Sequence, residues 1–263
     1  MTALIAGECR KGLLQLGIIA SVTLCIGINI PVSVNAGVAK SINKRQSAAT
    51  SISLQSQNKT VHMSLRPKTV VDIEPRNADF TRESKSREVQ RLADWIAGSG
   101  DNDGLPYIVI DKTEAKIFVF NKASRFLAAS PALIGLAKGD ESVPGIGERE
   151  ISEIRPEERT TPAGRFVAWL GYDLEQNDVL WVEYDTSVTL HRVIINKPEE
   201  RRLQRLATRT PKDNRITYGC INVPSKFFDR TIKTVFDGTD GIVYILPEKK
   251  STHEIFPTYY DVD

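Results

Sequence analysis

Between residues 105 and 248 the chain breaks into short apolar runs rich in β-branched and aromatic side chains, punctuated by Gly, Pro, Asp and Asn. Runs of roughly four to eight residues are too short to bury a helical stripe but suit strands. Tyr107–Ile110 and Ile117–Phe120 read as a hairpin joined by Asp111-Lys112-Thr113-Glu114, and Leu127–Ile134 continues it. Arg165–Leu170, Val179–Tyr184 and Val188–Ile195 supply further strands. Strands at this density predict a mainly β body, a sandwich or a barrel-like form.

Helices are few. Val89, Leu92, Ala93 and Ile96 fall at helical spacing within Arg87–Gly98, with Gly98 as the stop. Pro198 suits a first helical position, with Glu199 and Glu200 in the first turn and Leu203, Leu206 and Ala207 on one face. That short helix, with arginines opposite, reads as a solvated charged element or a lid. Ser225 reads as the cap of a helix through Phe227, Phe228, Ile232 and Val235 to Gly238. Its amino end would bring positive dipole character near Cys220. Residues 139–160 form a long aperiodic loop, a length more often functional than incidental. Asp101-Asn102-Asp103-Gly104 lacks calcium-loop spacing and reads as a plain turn.

The amino terminus bears on location. Arg10 and Lys11 precede the uncharged stretch Leu13 to Ile30, and Val34-Asn35-Ala36 offers the small residues of a cleavage site. Residues 1–36 therefore read as a secretory signal, with a membrane anchor over residues 13–30 as the alternative. Residues 37–86 are polar and without period, a flexible linker. The domain spans 87–263, with its core at 105–248. Cleavage after Ala36 removes Cys9 and Cys25, so Cys220 is left without a partner cysteine in the mature chain. Such a thiol in an oxidising compartment reads as reactive or intermolecular rather than as an inert small hydrophobe.

Cys220 lies in Ile216-Thr217-Tyr218-Gly219-Cys220-Ile221-Asn222-Val223, a glycine hinge between two apolar stretches. A thiol of ordinary pKa, about 8.5, becomes a catalyst when an imidazole stands beside it, and His191 in Val188–Ile195 is the candidate. This arrangement resembles the L,D-transpeptidase (YkuD-type) catalytic domain, whose signature is a histidine followed later by Ser/Thr-His-Gly-Cys, an apolar residue and Asn or Arg. Thr217, Gly219, Cys220, Ile221 and Asn222 match it; Tyr218 stands where the second histidine is usual. Thr161-Pro162-Ala163-Gly164-Arg165-Phe166 resembles the family's upstream turn and strand, and Val243-Tyr244-Ile245-Leu246-Pro247 its closing strand.

The resemblance implies a β-sandwich of mixed sheets with a few short helices, and an exported enzyme of the periplasm or cell envelope acting on peptidoglycan stem peptides. Cys220 would attack the carbonyl of the third stem residue and form a thioester, with His191 as base and then acid. An amine from a second stem would resolve the thioester. Backbone N–H groups of Gly219 and Cys220 would bind the oxyanion, and Thr217, Tyr218 and Asn222 would support the motif. Arg192 and Arg165 are candidates for holding a substrate carboxylate. Two alternatives use the same residues or none: water as acceptor, giving a carboxypeptidase or an amidase that detaches attached proteins, and an inactive cell-wall binding module with Tyr218 marking decay.

Other chemistries lack their residues. His62 and His253 lie in polar flanks and no cysteine pair has zinc spacing, so no metal is expected, and no cofactor fingerprint or Gly-x-Ser-x-Gly elbow occurs. The net charge of +2 gives no electrostatic case for nucleic acid.

Overall fold

The computed structural model describes residues 78, 80 and 83–262; the proposed signal segment and most of the proposed linker lie outside them. Among the described residues, ten strands and a few short helices make the expected mainly β architecture. Eight strands form one sheet in the order β3 (Phe126–Pro131), β2 (Lys116–Phe120), β1 (Tyr107–Asp111), β10 (Gly241–Ile245), β5 (Gly164–Tyr172), β6 (Asp178–Glu183), β7 (Val188–Arg192), β9 (Ile221–Val223). β1 with β10 and β7 with β9 are parallel and the other neighbours antiparallel, so the sheet is mixed. β4 (Ile134–Gly135) and β8 (Arg215–Thr217) form a small parallel pair beside it.

β5 is the longest strand and serves both halves. Gly164–Ala168 pairs with β10, whereas Trp169–Tyr172 pairs with β6. The halves pack face to face: Ile108, Ile110, Val243 and Ile245 from one meet Leu180, Leu190, Ile221 and Val223 from the other in a single core. Strands that turn from one layer to the next in this way make a sandwich corner. The residues that alternate with these on β1 and β10, Tyr107, Val109, Ile242 and Tyr244, face a second core. Both faces of these strands are buried, which is why they read as continuous apolar runs.

α1 (Arg87–Ser99) covers that second face with Val89, Leu92, Ala93, Trp95 and Ile96. Its termination falls two residues later than the expected Gly98: Gly100, left-handed at φ 74°, caps it by donating its N–H to Ile96 O. Ser86 Oγ caps the start, accepting from Val89 N at 3.2 Å. Within the stretch expected to be flexible, Phe80 is 2% exposed and packs edge-on against Phe118 and Phe120.

A buried ion pair ties the first hairpin to the loops that approach Cys220. Lys112 Nζ donates to Asp140 Oδ1 at 2.8 Å, to Gly139 O at 2.6 Å and to Thr161 O at 3.1 Å. Asp140 also accepts from the backbone N–H groups of Glu248, Lys249 and Lys250. Burial alone would raise its carboxyl pKa, but these donors overcome it and hold the group down at about 2. A carboxylate depressed in the folded state stabilises it above the ordinary carboxyl range and ceases to do so as pH falls toward the folded pKa. Asp140→Asn should therefore be less stable than the parent at neutral pH, with the gap closing between about pH 4 and 2. Urea melts at stepped pH would show it; a gap independent of pH would refute the linkage.

Candidate active site

Strand alternation selects the site's members. Leu190 on β7 pairs with Ile221 on β9 and both enter the inter-layer core. The alternating residues Thr189, His191, Cys220 and Asn222 therefore share the opposite face, each no more than 7% exposed. The parallel register sets His191 against Asn222, with Cys220 one residue ahead of β9. β8 and β9, which flank the Tyr218-Gly219-Cys220 turn, are three residues each and were not legible as strands.

The turn is held from inside and outside. Thr217 Oγ1 donates to Cys220 O at 2.6 Å and accepts from Gly219 N at 3.2 Å. Thr161 Oγ1, in the upstream Thr-Pro turn, accepts from Gly135 N at 2.9 Å and donates to Gly219 O at 2.7 Å. The Gly219 N–H is thus committed to Thr217, which corrects its expected place in an oxyanion hole. Gly219 sits at φ 134°, and a Cβ there would lie 2.9 Å from Thr160 O. Gly219→Ala is expected to cost about 1–3 kcal/mol of stability and to displace Cys220; thermal unfolding together with thiol-labelling rates would measure both, and an unchanged variant would refute the strain.

His191 has both ring nitrogens engaged. Nδ1 lies 2.8 Å from Arg192 O, and Nε2 lies 3.0 Å from Asn222 Nδ2. Burial pushes its pKa down to about 4, so the ring is neutral at pH 7. A neutral ring facing a carbonyl at Nδ1 carries its proton there and offers a lone pair at Nε2. Asn222, fully buried, is held by backbone hydrogen bonds with Leu133 in both directions and accepts from Arg202 Nη1 at 2.8 Å.

Arg202 is the residue that sequence reasoning missed. α2 (Arg202–Ala207) does form within the 28 residues between His191 and Cys220, after a 3-10 turn at Pro198–Glu200. Its buried residues are Arg202 and Leu206, however, and Leu203 is 55% exposed. Arg201 at φ 52° separates the two turns and resets which side faces inward.

Cys220 Sγ lies 3.7 Å from Thr189 Oγ1 and 3.6 Å from Ser187 O. Cys220 is disulfide-bonded in the full chain; the expectation of a thiol without a partner cysteine is for the chain from Gly37, which lacks Cys9 and Cys25. The other cysteines, Cys9 and Cys25, lie outside the described residues. Cys220 also lines a small cavity with Ile146, Ile151, Ile154, Ser187 and Tyr218. The long loop contributes three of these through 3-10 turns at Ile146–Glu148 and Ile151–Glu153 and the residue after them. Tyr218 presents its ring to Arg159, whose guanidinium carbon is 3.8 Å from the ring centroid.

Three expectations give way to structural roles. Arg165 binds Asp101 and Asp103, fixing the turn after α1 rather than facing the cavity. Arg192 is neutralised by Asp178 and Asp229 and lies over Phe228, joining β6 and β7 to the following helix. That helix starts with α3 (Ser225–Phe227), continues as a π-helical stretch Phe228–Ile232 and ends as α4 (Lys233–Phe236). Pro224, not Ser225, occupies its N-cap, and the extended residues Ile221–Val223 carry its start about 13 Å along the chain from Cys220. A dipole effect that fades within one turn does not act on the sulfur from there.

No protein-family model and no curated protein matches the sequence. Among solved structures, the chain is similar to the helical cell shape determining protein Pgp2 from Campylobacter jejuni, at 14% identity over 56% of this chain and 49% of that one, TM-score 0.37. It is also similar to an L,D-transpeptidase from Xylanimonas cellulosilytica, at 14% identity over 54% and 60%, TM-score 0.32. The catalytic domain of the E. faecium L,D-transpeptidase aligns at 16% identity over 53% and 95%, TM-score 0.29. The chain spans about half the length of the first of these structures.

Proposed function

We propose that this chain is an exported cysteine acyltransferase acting on the stem peptides of peptidoglycan, an L,D-transpeptidase. The observation that supports it most is the β7–β9 register, which brings a neutral His191 and the Thr217–Asn222 motif onto one buried face beside a cavity lined by Cys220.

In this reading Cys220 Sγ attacks the carbonyl carbon of the third stem residue and the thiol proton passes to His191 Nε2. Collapse of the tetrahedral adduct breaks the amide bond, and His191 returns that proton to the departing amine of the terminal D-alanine. An amine from a second stem, or from an attached protein, then attacks the thioester, gives up a proton and regenerates the thiol. For Nε2 to accept a proton, the Asn222 amide must yield its hydrogen bond. The neutral imidazole favours a thiol and base that exchange the proton during attack over a standing thiolate–imidazolium pair. Tyr218, with Arg159 against its ring, shapes the cavity wall.

Export belongs to the same proposal. The reaction requires Cys220 as a thiol, hence the reduced protein or the chain from Gly37 onward, which lacks Cys9 and Cys25. The test is to incubate reduced residues 37–263 with a disaccharide-tetrapeptide and read the products by mass spectrometry. A cross-linked dimer with loss of D-alanine is expected. The tripeptide alone would replace the amine acceptor with water, and unchanged substrate would overturn the enzyme reading in favour of a binding module.

A further inference from the structure

We infer that Arg202 is a positioning residue that fixes which end of the Asn222 carboxamide faces His191 Nε2, so that the amide reinforces the Nδ1–H tautomer set by the Arg192 carbonyl; this rests on His191 being the base proposed above. The carboxamide of Asn222 lies between two groups and can present either end to each. Arginine has donors and no acceptor, so the end 2.8 Å from Arg202 Nη1 must be the oxygen. The NH2 end then faces His191 Nε2 at 3.0 Å and requires a lone pair there. Arg192 O at Nδ1 asks for a proton on the other nitrogen, so both contacts demand the same tautomer. Turned over, the amide would set its oxygen against the Nε2 lone pair and its NH2 against a guanidinium, two repulsive contacts at once.

Arg202 is itself held. It is 5% exposed, and Glu200 Oε2 accepts from its Nε at 2.5 Å. Both residues belong to the segment between His191 and Cys220, which reads in sequence as a solvated helix or a lid. The geometry gives that segment a different use: it inserts a cation behind the motif asparagine. The charged groups that act on His191 from the packed elements are Arg202, Arg192 on its own strand and Asp173 in the β5–β6 turn, with Cys220 on the same face.

The test is nitrogen NMR of the His191 ring in the reduced protein of residues 37–263. The parent should show a single neutral form, protonated at Nδ1, from neutral pH down to about pH 4. In Arg202→Met the amide is released, so the Nε2 resonance should move toward that of a lone pair without a held donor, while Arg192 O keeps the proton on Nδ1. The ring should also protonate at higher pH than in the parent, because the Arg202 charge opposes protonation. Acylation of Cys220 by a carbapenem should slow about tenfold to a hundredfold, the worth of a charge-assisted hydrogen bond. Arg202→Lys, which keeps a buried donor, should retain the Nδ1–H form and lose less rate. An Nε2 resonance and a protonation pH in Arg202→Met that both equal the parent's would overturn the inference, and should that variant fail to fold, an Nε2 resonance in Arg202→Lys that departs from the parent's would do the same. The NMR result stands apart from the enzyme reading, which fails if the parent is not acylated.

Discussion

Replacing Cys220 by alanine is expected to reduce release of D-alanine from a stem tetrapeptide to the uncatalysed level while leaving the fold unchanged. The reason is chemical: in the proposed reaction every bond made to substrate before the acceptor arrives is made by this sulfur. The side chain is small and buried, and its neighbours Thr189 Oγ1 and Ser187 O are at 3.7 and 3.6 Å, weak contacts whose loss costs little stability. The same substitution should remove a carbapenem adduct that intact-mass analysis detects on the reduced parent. Turnover surviving in Cys220→Ala would end the case for a cysteine enzyme.

His191→Ala should lower the acylation rate by roughly 10² to 10⁴, the usual contribution of a positioned acid–base group. Tyr218→Phe should cost far less, because the ring that meets Arg159 is retained and only a hydroxyl is lost. The sign with pH follows from the buried ring: activity requires neutral His191, so the rate should fall as pH drops through about 4 rather than through the ordinary imidazole range near 6.5. Circular dichroism of His191→Ala is needed alongside, since Asn222 loses a hydrogen-bond partner. A Tyr218→Phe variant as damaged as His191→Ala would move the base to the tyrosine.

The main strands were legible because β1, β2, β6 and β10 are buried on both faces and carry charged residues only at their ends. β8 and β9 were not, since three residues give periodicity nothing to repeat. The Cys220 turn and its histidine could be named because glycine and thiol chemistry are local; the Arg202 contact could not, because α2 has fewer than two turns. Over six residues, Leu203-Leu206-Ala207 and Arg202-Leu206 fit a helical stripe equally well, and the left-handed Arg201 decides between them. Arg165 and Arg192 were open as substrate ligands for a related reason: their carboxylate partners lie 64, 62, 14 and 37 positions away in sequence. The glutamate-rich long loop gave no hint that Ile146, Ile151 and Ile154 turn toward Cys220, three isolated apolar residues in a segment without period.

The position of β10 governs how this chain can be made. It is the last strand in sequence, yet it lies in the middle of the sheet, between β1 and β5, and it pairs with residues 135 and 77 positions earlier, Ile108 and Phe166 with Val243. Until residues 241–245 emerge from the ribosome, β1 to β3 and β5 to β9 have no backbone link across the centre, and both central edges stand open. Closure must then wait for a non-local pairing, the slow class of folding event. The two local sets of hairpins can form earlier, but the single sheet that joins them is complete only when the carboxyl end of the chain is present.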